Sequence, residues 1–187
     1  MGFIITALLV GTMIVVMVKS NVEPAPVETL PSVEIEVEEI EETGLEIGKF
    51  PPDFELTTFS DKVIKLSDFK GKKVMLNFWA SWCGPCKAEM PHMEAYYKKY
   101  KESDNVEIIA VNMMAQERNG VKGVQDFIDD YGLTFPIPID EDGEVMKAYK
   151  VLTIPTTYLI GTDGKVAQKF VGPMDEKTIK NLVDNME

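Results

Sequence analysis

Trp79-Ala80-Ser81-Trp82-Cys83-Gly84-Pro85-Cys86-Lys87 contains both cysteines of the 187-residue chain. A C-x-x-C pair that follows an apolar, strand-like run and opens a helix-like one is the pattern of a dithiol cycling between thiol and disulfide. The thiolate is the nucleophile in such exchange, so one cysteine needs a lowered pKa. A cysteine at the start of a helix meets unsatisfied backbone N–H groups and the positive end of the dipole, which favour negative charge. Cys83 has that position and reads as the nucleophile. Cys86, three residues on, shares its face one turn deeper and reads as the resolving cysteine. Gly84 and Pro85 suit a tight turn into the first helical turn. A static disulfide and a zinc half-site are the structural alternatives. His92 is the only histidine, so four zinc ligands are not at hand. Lys87 stands where a c-type haem attachment needs histidine. The reading therefore calls for no metal, and no cofactor beyond the Cys83–Cys86 disulfide.

Outward from the pair, strands and helices alternate. Pro51–Leu56 and Val63–Leu66 read as a short N-terminal β-hairpin, and Ser67–Gly71 as one helical turn. Lys73–Trp79 and Val106–Asn112 read as buried central strands. A helix is expected from about Cys83 to Lys101, kinked at Pro91. Val121–Tyr131 reads as a helix ended by Gly132, Phe135–Ile139 as a short strand and Gly143–Lys150 as a short helix. Thr156–Ile160 and Val166–Val171 form a hairpin around Thr162-Asp163-Gly164, and a terminal helix is expected over about Asp175–Met186. This order predicts an α/β domain with a mixed central sheet and helices on both faces. Ile154-Pro155-Thr156, just before a strand, is a candidate cis-proline junction that would expose backbone to an extended partner chain.

Composition bounds the rest. Hydrophobic residues make up 45% and charged residues 27% of the chain, as in ordinary globular proteins. The net charge of −12 is concentrated at the N-terminus, where residues 1–46 carry one lysine against nine glutamates. The absence of a basic patch argues against nucleic-acid binding. Residues 1–18 carry no charged side chain and are expected to form an uncleaved transmembrane anchor, at the short end of the spanning range. No basic n-region or small-x-small cleavage site marks a cleaved signal. Residues 19–46, with Pro24, Pro26 and a run of glutamates, are expected to be an acidic flexible linker, leaving 47–187 as the domain. Lys19, the nearest cation, lies on the domain side of the span, and by the positive-inside rule it points weakly to a cytoplasmic domain.

Phe78-Trp79-Ala80-Ser81-Trp82-Cys83-Gly84-Pro85-Cys86 and Ile154-Pro155-Thr156 together resemble the thioredoxin superfamily. Four further stretches resemble its membrane-anchored ResA/TlpA/StoA type: Pro51–Leu56, Leu66–Lys72, Glu89-Met90-Pro91 and Val171–Met174. A βα insertion around 112–134 is a fifth common feature, and the N-terminal region is shared with AhpC/TSA-like redoxins. The likeness covers roughly residues 47–187. It implies a thioredoxin fold with Pro155 facing the dithiol, and partner contacts at Trp82, Gly84, Pro85, Ile154, Pro155 and Thr156. It also implies an extracytoplasmic domain, opposite to the Lys19 reading. Disulfide-containing exported proteins would be the substrates, apocytochrome c or a spore-envelope protein among them, and a CcdA/DsbD-type membrane protein the electron donor.

Two departures from the family pattern matter. Asn77 occupies the place of the buried aspartate of thioredoxins. Glu89 matches the glutamate that the ResA type sets beside its dithiol, which implies that it raises the thiol pKa values and shuttles protons. A solvent-exposed helix glutamate is the alternative. The Gly84-Pro85 dipeptide is that of thioredoxin and differs from the ResA type. A reducing potential near thioredoxin's, about −270 mV, is expected. The competing functions are a disulfide oxidase or isomerase, a peroxiredoxin-like peroxidase and a redox-switched binding module. The polar run Gln116-Glu117-Arg118-Asn119 in the insertion is expected to shape substrate access.

Overall fold

The computed structural model describes residues 42–186. The expected span 1–18 and residues 19–41 of the expected linker lie outside the described residues. Among the described residues, no helix is long and apolar enough to cross a membrane. Residues 42–46 turn back onto the domain, with Thr43 bridged to Phe50 and Gly44 N–H donating to the Phe50 carbonyl at 2.8 Å.

The hairpin pairs β1 (Glu55–Thr57) with β2 (Val63–Lys65), and a 3-10 turn follows over Leu66–Phe69. The main sheet comprises β3 (Lys73–Trp79), β4 (Val106–Asn112), β5 (Thr156–Ile160) and β6 (Val166–Val171), in the order β4-β3-β5-β6. β3 runs parallel to β4 and antiparallel to β5, which is antiparallel to β6. The central strands are covered on both faces, so apolar residues occupy consecutive positions, as in Val74-Met75-Leu76 and Ile108-Ile109-Ala110-Val111. Along β3, Val74, Leu76 and Phe78 enter one cluster, while Met75 and Trp79 enter the other. That split follows the two-residue period of a strand.

The first face is covered by α1 (Gly84–Tyr100), α2 (Gly120–Tyr131) and, towards the C-terminus, α4 (Glu176–Asp184). Cys86, Met90, Met93 and Tyr97 form the buried stripe of α1, spaced at helical period. The helix runs unbroken through Pro91, with Lys87, whose carbonyl loses its partner there, at the exposed surface. Gly132, in the left-handed region at φ 57°, closes α2 as the sequence predicts. Asp175 caps α4, accepting from Thr178 N–H at 2.7 Å.

On the opposite face, α3 (Glu144–Ala148) and the N-terminal segment cover an aromatic cluster of Phe54, Phe78, Tyr149 and Tyr158. Tyr149 Oη donates to the Pro52 carbonyl at 2.6 Å, and Tyr158 Oη donates to the Tyr149 carbonyl at 2.7 Å. These bonds anchor the Pro51-Pro52 approach to the sheet.

The expected strand over Phe135–Ile139 is instead an extended segment joined to β4 by a single bridge, Asn112 to Ile139. The prolines explain the difference. Pro136 and Pro138 accept from Ala110 and Asn112 N–H groups, at 3.0 and 2.9 Å, but have no N–H to return. In parallel register, Pro138 is the residue that would have donated to the Ala110 carbonyl. The indole Nε1–H of Trp79 donates there instead, at 3.1 Å.

Candidate active site

β3 ends at Trp79, and the short Ala80-Ser81-Trp82 turn delivers Cys83 to the N-cap of α1. Pro85 sits in the first helical turn, where a missing N–H costs nothing. Cys83 and Cys86 are joined as a disulfide. The Cys83 Sγ accepts from the Cys86 N–H at 3.2 Å, so the helix start already directs a donor at that sulfur. Cys83 is 4% exposed and Cys86 fully buried. Of the two residues, only Cys83, at the helix tip, has any exposed surface.

The Ile154-Pro155 peptide is cis, as expected, and faces the pair. Cys83 Sγ lies 3.9 Å from the Ile154 carbonyl oxygen. Thr156 Oγ1 donates to the Thr153 carbonyl at 2.7 Å, and Gly172 N–H to the Pro155 carbonyl at 2.9 Å. These bonds fix the loop against β6. Among the predicted contact residues, Gly84 and Pro85 are exposed and Trp82 and Ile154 half-buried, whereas Pro155 and Thr156 are buried. His92 is exposed, as expected of a surface residue.

Glu89 is not a surface glutamate: it is fully buried, one helical turn beyond Cys86 on the same face of α1. Its Oε1 accepts from Asn77 Nδ2 at 2.9 Å, and its Oε2 from Met174 N–H at 3.3 Å. Burial pushes its carboxyl from the ordinary 4.5 up to about 8, against the opposing pull of those two hydrogen bonds. No cationic side chain bonds to it among the described residues. Asn77 Nδ2 is shared with Thr157 Oγ1 at 3.0 Å, while Asn77 Oδ1 has no partner. The central strand thus supplies an amide, and the helix supplies the ionisable group.

The insertion contributes a second cluster. Glu117 Oε1 accepts from Ser81 N–H at 2.7 Å and Asn112 Nδ2 at 2.8 Å, and Oε2 from Ser81 Oγ at 2.7 Å. Trp82 Nε1–H donates to the Gln116 carbonyl at 2.9 Å, and the Arg118 guanidinium lies 4.1 Å from the centroid of its ring. The sequence marks the 116–119 run only as polar. Its grip on Ser81, 36 positions away, has no local signature, and Asn112, Thr157 and the Met174 N–H carried none either. Among the described residues, no group of three or more His, Cys, Asp or Glu side chains is arranged to hold a metal.

The sequence pattern of the AhpC/TSA family matches residues 47–169. The chain belongs to that family. It is 46% identical over 142 residues to the thiol-disulfide oxidoreductase ResA of Bacillus thuringiensis subsp. konkukian, covering 76% of this chain and 79% of the relative. It is 43% identical over 143 residues to the thioredoxin-like protein YneN of Bacillus subtilis, covering 76% and 82%. Among solved structures, StoA of Bacillus subtilis superposes with a TM-score of 0.63 at 37% identity, over 70% of this chain and 96% of that one. With the Cys83–Cys86 pair in place on a thioredoxin-like fold, this family member is a thiol–disulfide oxidoreductase.

Proposed function

We propose that the chain is a membrane-tethered, extracytoplasmic reductase of disulfides in exported proteins. The observation that carries the direction of exchange is the buried Glu89 behind Cys86. A dithiol becomes a strong oxidant when its reduced form is stabilised as thiolate. A buried carboxyl without a cation gives a thiolate no such support, and once ionised it repels one. The disulfide form is then favoured, and the dithiol is a donor of electrons.

In the forward reaction the Cys83 thiolate attacks one sulfur of the partner's disulfide. A Cys83–partner bond forms, and the partner's other sulfur leaves as a thiolate that takes up a proton. Cys86, giving its proton to ionised Glu89, attacks Cys83 Sγ. The Cys83–Cys86 bond forms, and the second partner sulfur leaves and is protonated. The second partner sulfur takes its proton back from Glu89, which returns to the ionised form, and the first takes from solvent the proton that Cys83 released on ionising. Two electrons and two protons in all reach the partner, and the protein is left oxidised. Arrival of the partner at the Ile154-Pro155-Thr156 edge, with Trp82, Gly84 and Pro85 opposite, places its disulfide beside the helix tip.

Recharging needs a dithiol donor on the membrane, and the CcdA/DsbD type fits a tethered acceptor. The haem-binding cysteines of apocytochrome c, or a spore-envelope protein, are the substrate class that the ResA and StoA likeness supports. The deciding experiment is trapping with Cys86→Ser in the full chain, which should strand an exported protein on Cys83. A reduction potential near about −270 mV is expected, and one near about −120 mV would refute the reductase direction. A membrane-impermeant maleimide should label the reduced protein in intact cells; labelling only after lysis would refute the topology.

A further inference from the structure

We propose that Arg118, stacked on Trp82, is a specificity-determining residue that selects partner chains carrying a carboxylate beside the reacting disulfide. The inference rests on the reductase reading and concerns which disulfides are accepted. Arg118 is the only arginine in the chain. It is exposed, and its guanidinium lies 4.1 Å from the centroid of the Trp82 ring, one residue before the nucleophile. Among the described residues, Arg118 makes no side-chain hydrogen bond and no ion pair. Its neighbour Glu117 is already committed to Ser81 and Asn112.

The platform is rigid for reasons visible around it. Trp82 cannot swing freely because its Nε1–H is held by the Gln116 carbonyl. The turn that carries Trp82 is pinned through Ser81 to Glu117. Stacking uses one face of the guanidinium and leaves the in-plane N–H donors for another group. A planar fork of that kind matches a carboxylate in two-point contact, a match that lysine lacks. Residues 47–187 carry 18 Lys and Arg against 22 Asp and Glu, so the domain as a whole offers an anion no general attraction. Attraction confined to this spot therefore rewards a local carboxylate rather than a generally acidic partner.

The test uses the reduced full chain in detergent and three disulfide peptides of one length, alike except for Asp, Asn or Lys next to the attacked cysteine. Single-turnover rates give an Asp-to-Asn ratio within each protein, so a general change in reactivity cancels. An exposed but well-formed ion pair predicts a ratio of about five for the native chain. The ratio should fall to about one for Arg118→Gln and below one for Arg118→Glu, with the Lys peptide then fastest. It should also shrink in high salt. A native ratio of one, or a ratio unchanged in Arg118→Gln, overturns this inference while exchange with the Asn peptide leaves the reductase reading standing. Failure of the native chain to reduce any of the peptides overturns the reading beneath it.

Discussion

Replacing Glu89 by glutamine should remove a pH dependence that the native fold carries at its centre. The carboxyl rises from 4.5 to about 8 because it is buried, so the folded state holds a proton that the unfolded chain has released across that interval. Stability is then full below about pH 4.5 and declines as the pH rises to about 8, above which the loss is complete. At about 1.4 kcal/mol for each pH unit, the whole interval corresponds to about 5 kcal/mol, an upper value because water reaching the site reduces it. Glutamine keeps an acceptor for Asn77 Nδ2 but never ionises. Its amide suits the Met174 N–H less well, a cost of about 1 kcal/mol independent of pH. Urea unfolding of the oxidised proteins between pH 5 and 9 is the assay, since no thiol titrates in that form. The native protein should lose about 3–5 kcal/mol relative to Glu89→Gln across the range, ending the less stable of the two. Parallel curves would refute the argument that burial governs this carboxyl.

Two further substitutions test the scaffold that holds the site. Trp79→Phe removes the indole donor and leaves the Ala110 carbonyl without a partner beside a new gap, so unfolding should become easier by about 2–4 kcal/mol in urea titrations. Glu117→Ala leaves the Ser81 N–H and the Asn112 amide unpaired, which should cost about 2–3 kcal/mol in the same titrations. A cost within about 0.5 kcal/mol would show that the insertion does not fasten the turn.

The elements that sequence revealed are those whose signals are local. β3 and β4 announce themselves by runs of consecutive apolar residues, Val74–Leu76 and Ile108–Val111, α2 by its period and by Gly132, and α4 by Asp175. Cys83 and Cys86 are legible because their chemistry depends on a spacing of three within one helical turn. Glu89 is intermediate. Its place on α1 follows from helical period, but its burial depends on Asn77 and Met174, which arrive from β3 and from the approach to α4. Glu117 was the least legible in its role, since nothing near it in sequence indicates that Ser81 will be its partner. The 135–139 segment misled because alternating Phe135, Ile137 and Ile139 carry a strand's pattern while Pro136 and Pro138 withhold the donors that a ladder needs.

Those two prolines have a consequence beyond the expected strand. The 135–140 segment lies along the β4 edge of the sheet, and its other side is taken by the hairpin, through Ile139 N–H to Thr57 and Phe59 N–H to Ile137. An extended foreign chain therefore finds no run of free donors and acceptors there on which to add a strand. The exported disulfide proteins proposed as partners would arrive unfolded or half-folded, the very chains most prone to pair with an open edge. Closing the β4 side with proline guards against such sticking and, under the proposed function, leaves the Ile154-Pro155-Thr156 backbone beside Cys83 as the place for a partner to dock.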